Sequence, residues 1–188
     1  MNKKKSFKVY YLLISEGTTE FNLFGYLTTK KFKEDFMKSN IQFSIKVEIV
    51  EISVSQGKLG GVSDVKGFKS KYNLIKERYE GQKRFFLLDK DIDDSSAIEA
   101  LIKQSDDIVQ FIEHNSEYLL LKLSGQNPKN PSNFSNLVKF RNYCKSEFEK
   151  HFGKRASDFK DTDFDSIFNN VTDREIKDSF IELFSTLT

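Results

Sequence analysis

The sequence predicts an α/β protein: a mostly parallel four-stranded sheet flanked by helices, with a helical C-terminal extension. Three observations predict it. Short apolar runs alternate with segments of helical periodicity as far as Leu123. One run, Arg84 to Asp89, is almost wholly apolar, as befits a strand covered on both faces. Beyond the proline-containing stretch Gly125 to Asn133, only helical patterns remain.

Each element has its own signal. Phe7 to Ser15 is an apolar run ending in Glu16-Gly17, so a strand followed by a tight turn is expected there. Gly17 is read as the residue that permits this turn and a close backbone approach to a ligand. From Thr18 to Ser39, Phe21, Phe24, Leu27, Phe32 and Phe36 recur at roughly helical spacing. Phe43 to Val54 alternates as a strand does, and Gln56 to Gly61 is a glycine-rich loop. Asp64 to Tyr79 places Val65, Phe68, Tyr72, Ile75 and Tyr79 on one helical face. Arg84 to Asp89 is the third strand. Ser96 and Glu99 match a capping box that opens a helix to about Gln104. Asp107 to Glu113 is the fourth strand, and Ser116 is the expected cap of a helix through EYLLLKL. Both prolines lie in GQNPKNPSN, which separates residues 1–125 from an extension, 126–188, expected to pack on the same domain. Helices are expected at Phe134 to Phe152, near Phe164 to Asn169, and from Thr172 to Ser185, the last opened by a capping box of Thr172 and Glu175.

Composition narrows the functional classes. A chain of 188 residues is long enough for one well-buried core. Nineteen Phe and seven Tyr recur inside periodic segments, which makes most of them core residues. One cysteine, Cys144, rules out an intrachain disulfide framework, and His114 and His151 alone are too few for a zinc site. The longest N-terminal apolar stretch, Val9 to Ile14, is too short for a signal peptide, and no segment approaches transmembrane length. A cytoplasmic protein is expected. Thirty basic and 28 acidic residues give a formal charge of +2, so any nucleic-acid contact must come from local placement of charge.

Two acidic motifs carry the chemistry. YYLLISEGTTE supplies Glu16 and Glu20; FFLLDKDIDD supplies Asp89, Asp91, Asp93 and Asp94. Each follows an apolar strand, and ligand sites in such sheets lie beyond the carboxyl ends of the strands. Carboxylates at the mouths of buried strands are costly unless a cation neutralises them. Oxygen donors of this type suit Mg²⁺ or Mn²⁺. Asp89 and Asp91 share a face if the chain stays extended, and Asp93 joins them only if the extension persists. Glu16 is the proposed partner of that pair, and Glu20, in the first helical turn, can face the same side.

These residues resemble the Toprim domain shared by topoisomerases, bacterial primases and several nucleases. Its signature is a strand-terminal Glu followed by Gly, then a later Asp-x-Asp, matched here by Glu16-Gly17 and by Asp89 and Asp91. The likeness is closest to the RloB-like and overcoming-lysogenization-defect nuclease branch, in which the first motif often reads Glu-Gly-x-Thr-Glu and a basic residue, here Lys90, separates the two Asp. HNSEYLLLKL is similar to that branch's next motif through Asn115 and Glu117, without its Pro, Phe and Trp and with shorter spacing. The resemblance spans residues 7–123 and implies Mg²⁺- or Mn²⁺-dependent cleavage of DNA or RNA in bacterial or phage defence. It implies metal binding by Glu16, Asp89, Asp91 and Asp93, catalytic contributions from Glu20 and Glu117, and phosphate contacts from Lys58 and Lys90. It also leaves two alternatives: a non-catalytic subunit working with an ATPase partner, or a small primase-like nucleotidyl transferase. A homo-oligomer is a further expectation, through the apolar stripe Ile176, Phe180, Ile181 and Phe184.

Overall fold

The computed structural model describes residues 8–44, 65–90 and 95–187. Among these, four parallel strands form one sheet: β1 (Val9–Ser15), β2 (Ile41–Ser44), β3 (Lys83–Asp89) and β4 (Ile108–Ile112). Their order is β2-β1-β3-β4. Between β1 and β2 lie α1 (Thr18–Tyr26), a π-helical turn (Leu27–Lys31) and α2 (Lys33–Lys38). Helix α3 (Val65–Arg78) precedes β3, and α4 (Ser95–Lys103) joins β3 to β4. The chain continues through α5 (Ser116–Leu123), α6 (Leu137–Phe152), α7 (Asp161–Phe168), α8 (Asp173–Ser179) and α9 (Ile181–Ser185).

Period-two alternation along the buried strands builds two cores. Tyr11, Leu13, Phe85, Leu87 and Ile112 face the larger one, with Leu23 and Phe24 of α1, Leu119 to Leu121 of α5, and Phe148, Phe164, Phe168, Ile176 and Leu183 of the C-terminal helices. Leu12, Ile14, Phe86, Leu88 and Val109 face the other, closed by Phe68, Tyr72 and Ile75 of α3 and Ile98 and Ile102 of α4. The result is a three-layer, Rossmann-like α/β fold. The C-terminal helices share the first core with α1, so they thicken one layer. That accounts for most of the apolar stripe noted in the sequence: Ile176 and Phe180 are fully buried and Phe184 packs beside them, while Ile181 is 63 % exposed.

Several boundaries differ from the sequence reading, each for a local reason. The helix expected from Thr18 to Ser39 is divided. Thr28 and Thr29 turn their hydroxyls back onto the Phe24 and Gly25 carbonyls, which bends helices. The Phe32 amide then bonds the Leu27 carbonyl five residues back, forming the π turn. The C-terminal helix is likewise broken at Phe180, where φ −128° and ψ 45° leave helical space. Its capping box of Thr172 and Glu175 is present. The one expected of Ser96 and Glu99 is not: α4 already includes Ser95, and Glu99 pairs with Lys103 one turn on. Only the start of the second strand, and none of the glycine-rich loop, falls among the described residues.

At the amino end of the sheet, Arg84 and Asp107 form a buried ion pair with side chains 8 % and 1 % exposed. Asp107 also accepts from the Tyr72 hydroxyl at 2.8 Å and the Arg84 backbone amide at 3.3 Å. Burial, together with Asp107, pushes the Tyr72 phenol up to about 12. This network pins α3 and the start of β4 to β3. On the outer strand, Gln110 accepts from the amides of Glu182 and Leu183 and so caps α9 against β4. No helix among the described residues is long and apolar enough to cross a membrane.

Asp107→Ala leaves the Arg84 guanidinium buried without its carboxylate and is expected to cost about 3–5 kcal/mol. Lys38→Ala removes an exposed pair with Glu34 and should cost less than about 1 kcal/mol. Urea unfolding checks both, and equal losses would contradict the assignment.

Candidate active site

From β1 the chain moves outward to β2, and from β3 outward to β4. The strand order therefore reverses between β1 and β3, where this class of sheet opens a crevice beyond the carboxyl ends. Glu16 directly follows β1 and Asp89 ends β3.

The two strand ends are stitched together by the site residues themselves. The Glu16 amide donates to the Leu87 carbonyl at 3.2 Å, which extends the ladder past β1. Its carboxylate Oε2 accepts the backbone amide of Asp89 at 3.2 Å. On the other side, the Lys90 amide donates to the Ile112 carbonyl at 3.0 Å. The end of β3 is thus held from both neighbouring strands.

Glu20 enters from α1. It is buried, at 5 % exposure, and lies in the first helical turn, where the helix dipole favours a negative charge. The Ser116 hydroxyl, wholly buried at the start of α5, donates to Glu20 Oε1 at 2.5 Å and contacts Asp89 Oδ1 at 3.1 Å. A hydroxyl has one proton to give, so it serves one carboxylate at a time.

Gly17 has a different role from the one its sequence position suggested. Its φ of −148° is ordinary extended backbone that any residue adopts. The constraint is space: a Cβ here would meet Glu20 Oε2 at 2.8 Å. A side chain at this position would make the Glu20 carboxylate shift from where it folds back.

Ser116 was expected to cap α5, but Asn115 does so, accepting the Tyr118 amide at 2.8 Å. Asn is at least as good an N-cap as Ser, and the Asn-Ser pair was the sequence signal for this. The cap frees the Ser116 hydroxyl for the two carboxylates. Glu117, next in line, lines a groove between α1, α5 and α6. His114 adopts a left-handed conformation (φ 61°) and packs edge-on against Tyr118 and Phe140. Lys90 is exposed beside the site. Lys58, Asp91, Asp93 and Asp94 lie outside the described residues.

The structure thus brings Glu16, Glu20 and Asp89 together at the sheet's switch point and adds Ser116. All the donors are hard oxygens, which fits Mg²⁺ or Mn²⁺ in chemical character. Among the described residues, no three His, Cys, Asp or Glu side chains form a group that could hold a metal ion. Fold and site define an α/β protein with carboxylates at the carboxyl ends of adjacent strands of a parallel sheet. No family model, curated protein or solved structure gives a significant match to the chain.

Ser116→Ala removes the bridging donor and is expected to cost about 1–3 kcal/mol in urea unfolding. Gly17→Ala displaces Glu20 from that donor, so its cost should shrink in the Ser116→Ala background. A double-mutant cycle with a coupling of at least about 0.5 kcal/mol fits this geometry; strict additivity does not.

Proposed function

We propose that this chain is a Toprim-like nuclease that cleaves phosphodiester bonds in DNA or RNA with the help of Mg²⁺ or Mn²⁺. One observation supports the reading: Glu16 and Asp89, at the ends of two strands, and Glu20 of α1 are linked through the Asp89 amide and the Ser116 hydroxyl where a parallel α/β sheet takes its ligands. The order of the motifs and the resemblance to the RloB-like branch support it.

Glu16 and Asp89, with Asp91, are the residues that would hold the cation. A bound divalent ion supplies Lewis-acid stabilisation of the charge on a phosphoryl group. The remaining work belongs to the chain. Glu16, anchored by the Asp89 amide, either shares the cation or serves as the acid/base group for the attacking or leaving oxygen. Glu20 is held by Ser116 and keeps the inner wall of the site anionic. Lys90 and Lys58 contribute positive charge toward substrate phosphates. In this reading the protein works in the cytoplasm in bacterial or phage defence, with an ATPase partner or a second copy of itself as its assembly partner.

Incubation with Mg²⁺ or Mn²⁺ and plasmid, single-stranded DNA and tRNA tests the proposal. Metal-dependent cleavage is expected, reduced at least about 100-fold in Glu16→Ala and Asp89→Ala. Cleavage undiminished in Glu16→Ala contradicts it, as does no cleavage of any substrate. Binding without cleavage would favour the regulatory-subunit reading, and nucleotide incorporation the primase-like one.

A further inference from the structure

His114 lies between the end of β4 and the cap of α5, just ahead of the hydroxyl that holds both carboxylates. Its backbone is left-handed, with φ 61°. Among the described residues, the other non-glycine with a positive φ is Asp106, at 56°. Asp106 is exposed in the turn that follows α4, where left-handed residues are usual. His114 comes before a helix, so no helix end calls for its conformation. We infer that His114 is a positioning residue, whose left-handed turn aims the Ser116 hydroxyl at Glu20 and Asp89. The aim of the hydroxyl stands on geometry alone; its consequence for cleavage rests on the nuclease reading.

The chain has little room to turn here. Strand β4 stays in register to Ile112, whose carbonyl accepts the Lys90 amide at 3.0 Å. Asn115 must then sit over the first turn of α5 to accept the Tyr118 amide at 2.8 Å. Ser116 must at once face inward, reaching Glu20 at 2.5 Å and Asp89 at 3.1 Å. Of Glu113, His114 and Asn115, His114 alone has a positive φ. Each residue has only two soft backbone dihedrals, so a negative φ at His114 would swing everything after it. Either the cap or the aim of Ser116 would be lost. The ring holds the turn in place. It is half-buried and packs edge-on against Tyr118 of α5 and Phe140 of α6, with centroids 4.7 and 5.6 Å away. Edge-on aromatic pairs add to what burial contributes, and here they offset the cost of the left-handed backbone. A glycine would take this φ freely but would have no ring. Histidine, with Asn and Asp, enters left-handed space more readily than other side chains. A strained residue persists where its surroundings over-determine it, and such residues gather at functional sites.

The test compares substitutions that all lose the ring but differ in backbone. His114→Gly and His114→Asn accept a positive φ, whereas His114→Ala disfavours it. In each background, urea unfolding gives the factor by which Ser116→Ala lowers the folding equilibrium constant. That factor should stay within about twofold of wild type in His114→Gly and His114→Asn, and fall at least about threefold in His114→Ala. A residue that only adds stability would shift the midpoints and leave the factor unchanged. His114→Gln replaces His114→Ala if the latter does not fold. The same factor in all backgrounds overturns the inference. So does an equal loss in all the His114 variants, which would assign the aiming to the ring. Mg²⁺-dependent cleavage gives the second readout. In His114→Ala kcat should fall at least about tenfold with KM within about twofold, and His114→Gly should restore most of the loss. A factor that falls as expected in a chain that cleaves nothing contradicts the nuclease reading alone. Cleavage by the wild type with an unchanged factor contradicts the positioning role alone.

Discussion

Two carboxylates from different parts of the chain are held by one buried hydroxyl. Ser116 reaches Glu20 from α1 and Asp89 from β3, while Glu16 takes the Asp89 amide from the β1 side. A buried carboxylate is tolerable only where donors meet it. That requirement decides much of the local structure. The Glu20 carboxylate folds back to where a Gly17 side chain would sit, and Asn115 caps α5, which leaves the Ser116 hydroxyl to the carboxylates. The β1–β3 ladder must run on to Glu16. The anionic centre is thus set within the frame of the fold, on rigid strand ends and first helical turns.

The frame keeps this centre in place from the far end. The Arg84–Asp107–Tyr72 network fixes the amino end of β3, some six residues before Asp89. Two apolar layers of unequal size clamp the strands between. The thicker layer contains the C-terminal helices, and Gln110 locks the last of them to β4. Stability and site geometry are therefore joined through β3, which contributes to both cores and ends in Asp89.

How much of this could be read from the sequence followed from how local the cause was. Strands β1, β3 and β4 were legible because burial on both faces leaves near-continuous apolar runs. Glu16 and Asp89 were legible because a carboxylate ending such a run conflicts with its surroundings. The helix break after Tyr26 was not, since it comes from threonine hydroxyls competing for backbone carbonyls inside an otherwise helical pattern. Neither was the bond from Ser116 to Glu20, which joins residues 96 apart. Arg84 and Asp107 are 23 apart and meet only once strand register is set. A glycine before a helix suggests a tight turn, but the Gly17 backbone is extended, and the neighbour that a side chain there would meet is the Glu20 carboxylate.

The decisive measurement is a crystal structure of the protein grown with Mn²⁺, with data collected for the anomalous signal of manganese. A metal-dependent phosphodiester-cleaving centre at the switch point requires an anomalous peak coordinated by carboxylate oxygens of Glu16 and Asp89. An ordered site without such a peak, with Ser116 still joining Glu20 to Asp89, would contradict it.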